Sequence, residues 1–158
     1  MTSTMAENMT TTDRIEKKVV LRAPLSRVWQ AIADSQKFGE WFGVKIDQPF
    51  VAGTKVNGKI TNPGYENIPI GMEIDRIEPQ RYFSYRWHPY GIDKNVDYSH
   101  EPTTLVEFTL EETKDGTQLT IVESGFDRIP ASRRDMAFRM NDAGWTGQAK
   151  RIAAYVEK

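Results

Sequence analysis

Cysteine is absent from this chain of 158 residues. That excludes disulfides, thiolate metal sites, cysteine nucleophiles and thiol redox switching together, and it agrees with a reducing cytoplasm, the location expected here. Charge of either sign is not in excess: 21 basic and 22 acidic residues leave a net charge of -1. No large positive field is available to attract phosphate backbones or anionic lipid, so nucleic acid is not an expected partner. Nor is there a run of about 18 apolar residues, and no membrane span is expected. The opening "MTSTMAENMTTT" lacks the basic start, apolar stretch and cleavage site of a signal peptide. Residues 1–12 are therefore read as a disordered tail and residues 13–158 as one domain, long enough to bury about 68–70% of its extended surface.

What the chain does contain is alternation. "RIEKKVVLRAP" places Ile15, Val19 and Leu21 on one side and Glu16, Lys18 and Arg22 on the other, as in a strand with one wet face. Pro24 ends it. "PLSRVWQAIADS" then lines up Val28, Trp29, Ile32 and Ala33 on one helical stripe, and "QKFGEWFG" adds a second short helix stopped by Gly43. The runs "GTKVNGKIT", "IGMEIDRIE", "RYFSYRWH", "TTLVEFTLEE" and "TQLTIVES" are separated by the turn signals "NPGY", "EPQ" and "KDG", which predicts an antiparallel meander. Phe83, Tyr85 and Trp87 share a face, as do Val106, Phe108 and Leu110, so one side of the sheet is apolar.

The last helix opens at "PASRRD", where Ser132 and Asp135 have capping-box spacing. Phe138, Trp145, Ala149, Ile152 and Val156 form one stripe on it, and Met136, Met140, Ala143 and Gly147 a second, with Gly144 beside them. Two apolar faces predict a helix enclosed by other elements. An α+β fold in which a twisted sheet curls around this helix satisfies both. Each glycine costs about 1 kcal/mol against alanine in a helix interior. The expected return is space, for a ligand or for close approach of the strand opposite.

Few residues suggest chemistry. With Leu119 and Ile121 facing inward, alternation turns Glu123 inward as well, where it binds the polar end of a ligand, acts as an acid or base, caps backbone amides, or pairs with Arg128 or Arg139. His88 and His100 are the only histidines, and their spacing in a polar loop matches no compact metal motif. They are read as solvated loop residues, and no metal or other cofactor is expected. Ser124 lies in "ESGFD" without a nucleophile elbow. The 17 aromatic residues, 7 Phe, 6 Tyr and 4 Trp, are either ordinary core or the lining of a pocket.

Taken in order, "APLSRVWQAIAD" followed by "WF", "TLVEFTLEE", "GTQLTIVESGFD" and "NDAGWTGQAKRIAAYVE" resemble the START-like, helix-grip superfamily, in the branch similar to the activator of heat-shock protein 90 ATPase. The resemblance spans residues 14–158. It implies a helix-grip fold of six or seven curved antiparallel strands wrapped around the C-terminal helix, with two short helices between the first two strands. It also implies a pocket between sheet and helix that takes an apolar small molecule. The family's Gly-Trp pair falls on Gly144 and Trp145, and its Ser-Gly-Phe turn on Ser124, Gly125 and Phe126. The loop "PYGIDKNVDYSHEP" is specific to this chain.

The leading expectation is a non-catalytic binding module for a lipid, sterol or aromatic molecule. Its candidate ligand-binding residues are Trp41, Val56, Met72, Phe83, Tyr85, Trp87, Val106, Phe108, Ile121, Glu123, Met140, Asn141, Gly144 and Trp145. Affinity is expected from apolar burial and orientation from Glu123, Tyr85 and Asn141. The alternative is a co-chaperone-like regulator whose partner is an ATP-driven chaperone, although the activator proper carries a further N-terminal domain where this chain has a short tail. A cyclase or hydrolase ranks third, for want of an acid-base pair.

Overall fold

The structure is a computed structural model that describes residues 12–93 and 95–158; the tail expected over residues 1–12 falls, apart from Thr12, outside them. Strand β1 (Arg14–Leu21) leads into α1 (Leu25–Ala33) and α2 (Ser35–Phe42). Six strands follow: β2 (Val44–Ile46), β3 (Lys55–Ile60), β4 (Pro69–Glu78), β5 (Tyr82–Trp87), β6 (Thr104–Thr113) and β7 (Gly116–Ser124). A 3-10 turn (Phe126–Arg128) then delivers the chain to α3 (Ala131–Val156).

The seven strands form one curved antiparallel sheet in the order β1-β7-β6-β5-β4-β3-β2. The first two strands are its opposite edges, so α1 and α2 carry the chain across the concave face between them. This is the helix-grip arrangement with its full seven strands. The seventh, β2, is three residues long, too short for alternation to reveal. A bulge between Ile74 and Arg76 adds twist to β4 where the sheet curves.

Local chemistry accounts for the helix boundaries. The Asp34 carboxylate accepts from the backbone N–H groups of Gln36 and Lys37 and starts α2. Gly43, at φ 91°, ends it in the left-handed conformation that a side chain disfavours. At α3 the expected cap is corrected: Pro130 occupies the N-cap position without a side-chain hydrogen bond, and Ser132 lies inside the first turn.

The expectation that α3 is enclosed on two sides is also corrected. Its buried residues are Ala137, Trp145, Ile152 and Val156, one stripe. The other face is open, with Met136 and Met140 exposed at 46% and 39% and Ala143 and Gly144 exposed beside them. A Cβ built at Gly144 or Gly147 meets nothing within 4 Å among the described residues. Open space, not the close approach of a strand, lies beside these glycines.

The apolar faces of sheet and helices share one core. Phe38 lies at its centre, ring centroids 5.0 Å from Trp41, 4.8 Å from Phe42 and 6.3 Å from Phe108. Phe83 stacks on Phe108 at 6.0 Å, and Trp145 meets Phe108 edge-on at 5.9 Å. Burying each such ring stabilises the fold by about 1.5–3 kcal/mol. The interior beneath the sheet is therefore filled by aromatic rings.

Candidate functional site

Glu123 occupies the last inward-facing position of β7, as alternation requires, and is completely buried. Its Oε2 accepts from Trp87 Nε1 at 2.7 Å and Thr104 Oγ1 at 2.6 Å. Its Oε1 accepts from Trp145 Nε1 at 2.7 Å and Asn141 Nδ2 at 2.9 Å. Four side-chain donors thus fill the four lone-pair sites of the carboxylate. Neither expected arginine takes part: Arg128 donates to the Thr103 carbonyl and Arg139 pairs with Asp135. Burial raises the Glu123 pKa, opposed by the hydrogen bonds from Thr104, Trp87, Trp145 and Asn141. With every lone pair taken and no exposure, Glu123 has no free position from which to accept a substrate proton. Its geometry makes it a clasp between β5, β6, β7 and α3.

Tyr85 lies two residues before Trp87 on the same face. Its hydroxyl is buried without a hydrogen-bond partner among the described residues. Burial first, and the Glu123 charge second, push its pKa well above the ordinary tyrosine value.

A space large enough for a ligand lies to one side of this clasp. A cleft of about 440 Å³ opens where the β2–β4 end of the sheet, α3 and the loop after β5 converge. Phe42, Ile60, Ile68 and Ile70 form one wall, and Tyr90, Ile92, Val96 and Tyr98 of the loop form the other. Trp87, Asn141 and Gln148 lie between them. This volume suits a small organic molecule, and the mixture of apolar walls with a few polar groups is that of a ligand pocket.

Arg133, in the first turn of α3, holds the loop at both ends. Its guanidinium donates to Glu101 Oε1 at 2.8 Å and to the Pro89 carbonyl at 2.8 Å, and lies 4.7 Å above the Tyr98 ring. With the arginine side chain 19% exposed and that of Glu101 20%, this pair is shielded and worth more than an exposed one. His88 is half-buried, contrary to the expectation for it, and its Nε2 lies 3.1 Å from the Glu101 carbonyl. His100 is exposed, 4.0 Å from Asp97.

Of the residues expected to bind a ligand, Trp87 and Asn141 line the cleft. Trp41, Val56, Phe83, Tyr85, Val106, Phe108, Ile121, Glu123 and Trp145 are packed in the core behind it. Met72 is buried and borders a second recess of about 500 Å³, shared with Lys55, Glu73 and Arg86. Met140 and Gly144 are exposed and outside the cleft. The expectation missed both walls. One signal was present: Tyr90, Ile92, Val96 and Tyr98 all fall on even positions of a segment otherwise read as a polar loop.

The family model described as "Activator of Hsp90 ATPase homolog 1-like protein" matches residues 22–157. The chain belongs to that family. Solved structures similar to this family member include a protein of Mesorhizobium loti, 24% identical over 90% of this chain and 95% of that one, with a TM-score of 0.69. DynU16, a protein in the dynemicin biosynthetic locus, is 27% identical with a TM-score of 0.70; the match covers 92% of this chain and 48% of DynU16, about half its length. The Aha1 dimer from Colwellia psychrerythraea is 16% identical, with 91% of this chain and 96% of that one covered and a TM-score of 0.68. No curated protein matches the chain. Within the Hsp90-activator homologue family, then, this member carries an apolar cleft bounded by its own loop, and among the described residues no helix is long and apolar enough to cross a membrane.

Proposed function

We propose that this protein binds a small, largely hydrophobic molecule in the cleft between the β2–β4 end of the sheet, α3 and the loop after β5, without transforming it. The observation that carries this reading is the cleft itself, about 440 Å³ with apolar residues on both walls. Binding there removes apolar surface of the ligand from water, at about 25 cal/mol per Å². The site is displaced from the one expected, since the interior beneath the sheet is occupied by the protein's own rings. A backbone amide NMR titration against sterols, fatty acids and aromatic compounds tests it. Shifts concentrated at Ile68, Ile70, Tyr90, Ile92 and Asn141 with one compound class are expected. Saturable binding that instead shifts α3 at Met136 and Met140 would refute the cleft as the site.

A second reading is contact with an ATP-driven chaperone. Family membership supports it, together with the exposed Met136 and Met140 on α3, since methionine surfaces suit adaptable protein contacts. An unchanged chaperone ATPase rate at saturating protein would end this reading.

A further inference from the structure

Two of the cleft's polar groups share an orientation. Asn141 and Gln148 both line it, and at seven positions apart on α3 they lie on one helical face, roughly 10 Å from each other along the axis. Asn141 donates through Nδ2 to Glu123, at 2.9 Å to Oε1 and 3.2 Å to Oε2. Both carboxylate oxygens also accept from indoles, which only donate, so Glu123 fixes the amide of Asn141 with its nitrogen inward. The Asn141 oxygen is left without a partner among the described residues.

Gln148 repeats the pattern. Its Nε2 donates to the Phe42 carbonyl at 2.9 Å, and a carbonyl only accepts, so this amide is fixed too. Its Oε1 is buried with no hydrogen-bond partner among the described residues. A buried acceptor left without a donor is costly, and a ligand that supplies one gains that energy back as affinity. Asn62 is turned the other way, its oxygen taken by Arg151 at 2.8 Å.

Charge points in the same direction. No lysine or arginine is among the described residues lining the cleft, whereas Asp93 is. The Glu123 carboxylate lies directly behind Trp87 and Asn141. An anionic head group therefore meets no lysine or arginine there, only neutral donors such as the Asn62 amide and the hydroxyls of Tyr90, Tyr98 and Ser99, and it faces negative charge.

We propose that the cleft selects a neutral, largely apolar molecule bearing a hydroxyl or N–H donor, accepted by the free oxygens of Asn141 and Gln148, and discriminates against carboxylates. This rests on the cleft being the ligand site. The test is a matched series at neutral pH, followed by titration calorimetry: 4-phenylphenol, 4-methoxybiphenyl and biphenyl-4-carboxylate, alike in apolar surface and different in head group. The phenol is expected to bind about 3- to 10-fold more tightly than its methyl ether, and the carboxylate more weakly than either.

Equal affinity for phenol and ether, or tightest binding by the carboxylate, overturns the donor selectivity while leaving an apolar cleft that binds. Binding by none of the three overturns both readings. Two variants then assign the acceptor. Gln148→Leu leaves the Phe42 carbonyl its bond from Arg151, 3.2 Å away, and Asn141→Ala leaves Glu123 three of its donors. The phenol preference is expected to fall toward unity in one or both, and its persistence in both would overturn the assignment to these oxygens.

Discussion

Trp87 and Glu123 meet at 2.7 Å across an intervening strand, the indole on β5 and the carboxylate on β7, with β6 between them. The same tryptophan lines the cleft. One side chain thus joins the buried carboxylate to the surface where a ligand would lie, and the properties of Glu123 and of the cleft are linked through it.

Replacing that carboxylate tests the clasp. Glu123→Gln keeps the shape but turns its amide nitrogen toward Trp87 or Trp145, whose indoles only donate, leaving at least one donor unpaired. A loss of about 1–3 kcal/mol at neutral pH is expected from urea unfolding. The pH dependence has a definite sign. Burial raises the folded pKa of Glu123 above its ordinary 4.5, so the folded protein holds this proton more tightly than the unfolded chain does. Its contribution is fully present below the ordinary value and is lost as pH rises through the raised one. Paired melts should therefore show the advantage of the wild type over Glu123→Gln shrinking from about pH 4.5 toward neutrality. An advantage that grows with pH would mean that the hydrogen bonds outweigh burial.

Arg133→Ala should free the loop without dissolving the sheet. The substitution removes the bonds to Glu101 and Pro89 and the contact with Tyr98. Amide exchange across residues 89–101 is expected to accelerate by about tenfold, equivalent to 1.4 kcal/mol, with β7 unaffected. Uniform acceleration throughout the protein would show that the arginine supports the whole fold.

The open space at Gly144 and Gly147 leaves their cost to the helix without the return expected from the sequence. Gly144→Ala meets no neighbour among the described residues and should stabilise α3 by about 1 kcal/mol, raising Tm by about 2–4 °C. A fall in Tm would mean that this face is covered in solution.

The order of elements was legible because each has a strong local signal. Pro24 and Gly43 bracket the short helices, and alternation through Leu119 and Ile121 turned Glu123 inward correctly. The partners of Glu123 were not legible: Trp87, Thr104, Asn141 and Trp145 come from three elements and meet only after the sheet curls. The cleft was missed for a related reason. Alternation identifies which residues face inward, but not whether the interior between them is filled, and here Phe38, Phe83 and Phe108 fill it. The methionine and glycine positions of α3 misled because apolar composition was taken as burial, which a helix on the surface does not require.

The pairing of β1 with β7 also bears on how the chain folds as it is made. Asp13 finds its partner Gly125 only 112 positions later, and the whole length of β1 pairs with β7. On the ribosome β1 waits, with both edges bare, until most of the protein has emerged. Contacts so distant in sequence slow folding and prolong the exposure of unpaired strands. The charges of Arg14, Glu16 and Lys18 along β1 guard it during that wait against pairing with another chain.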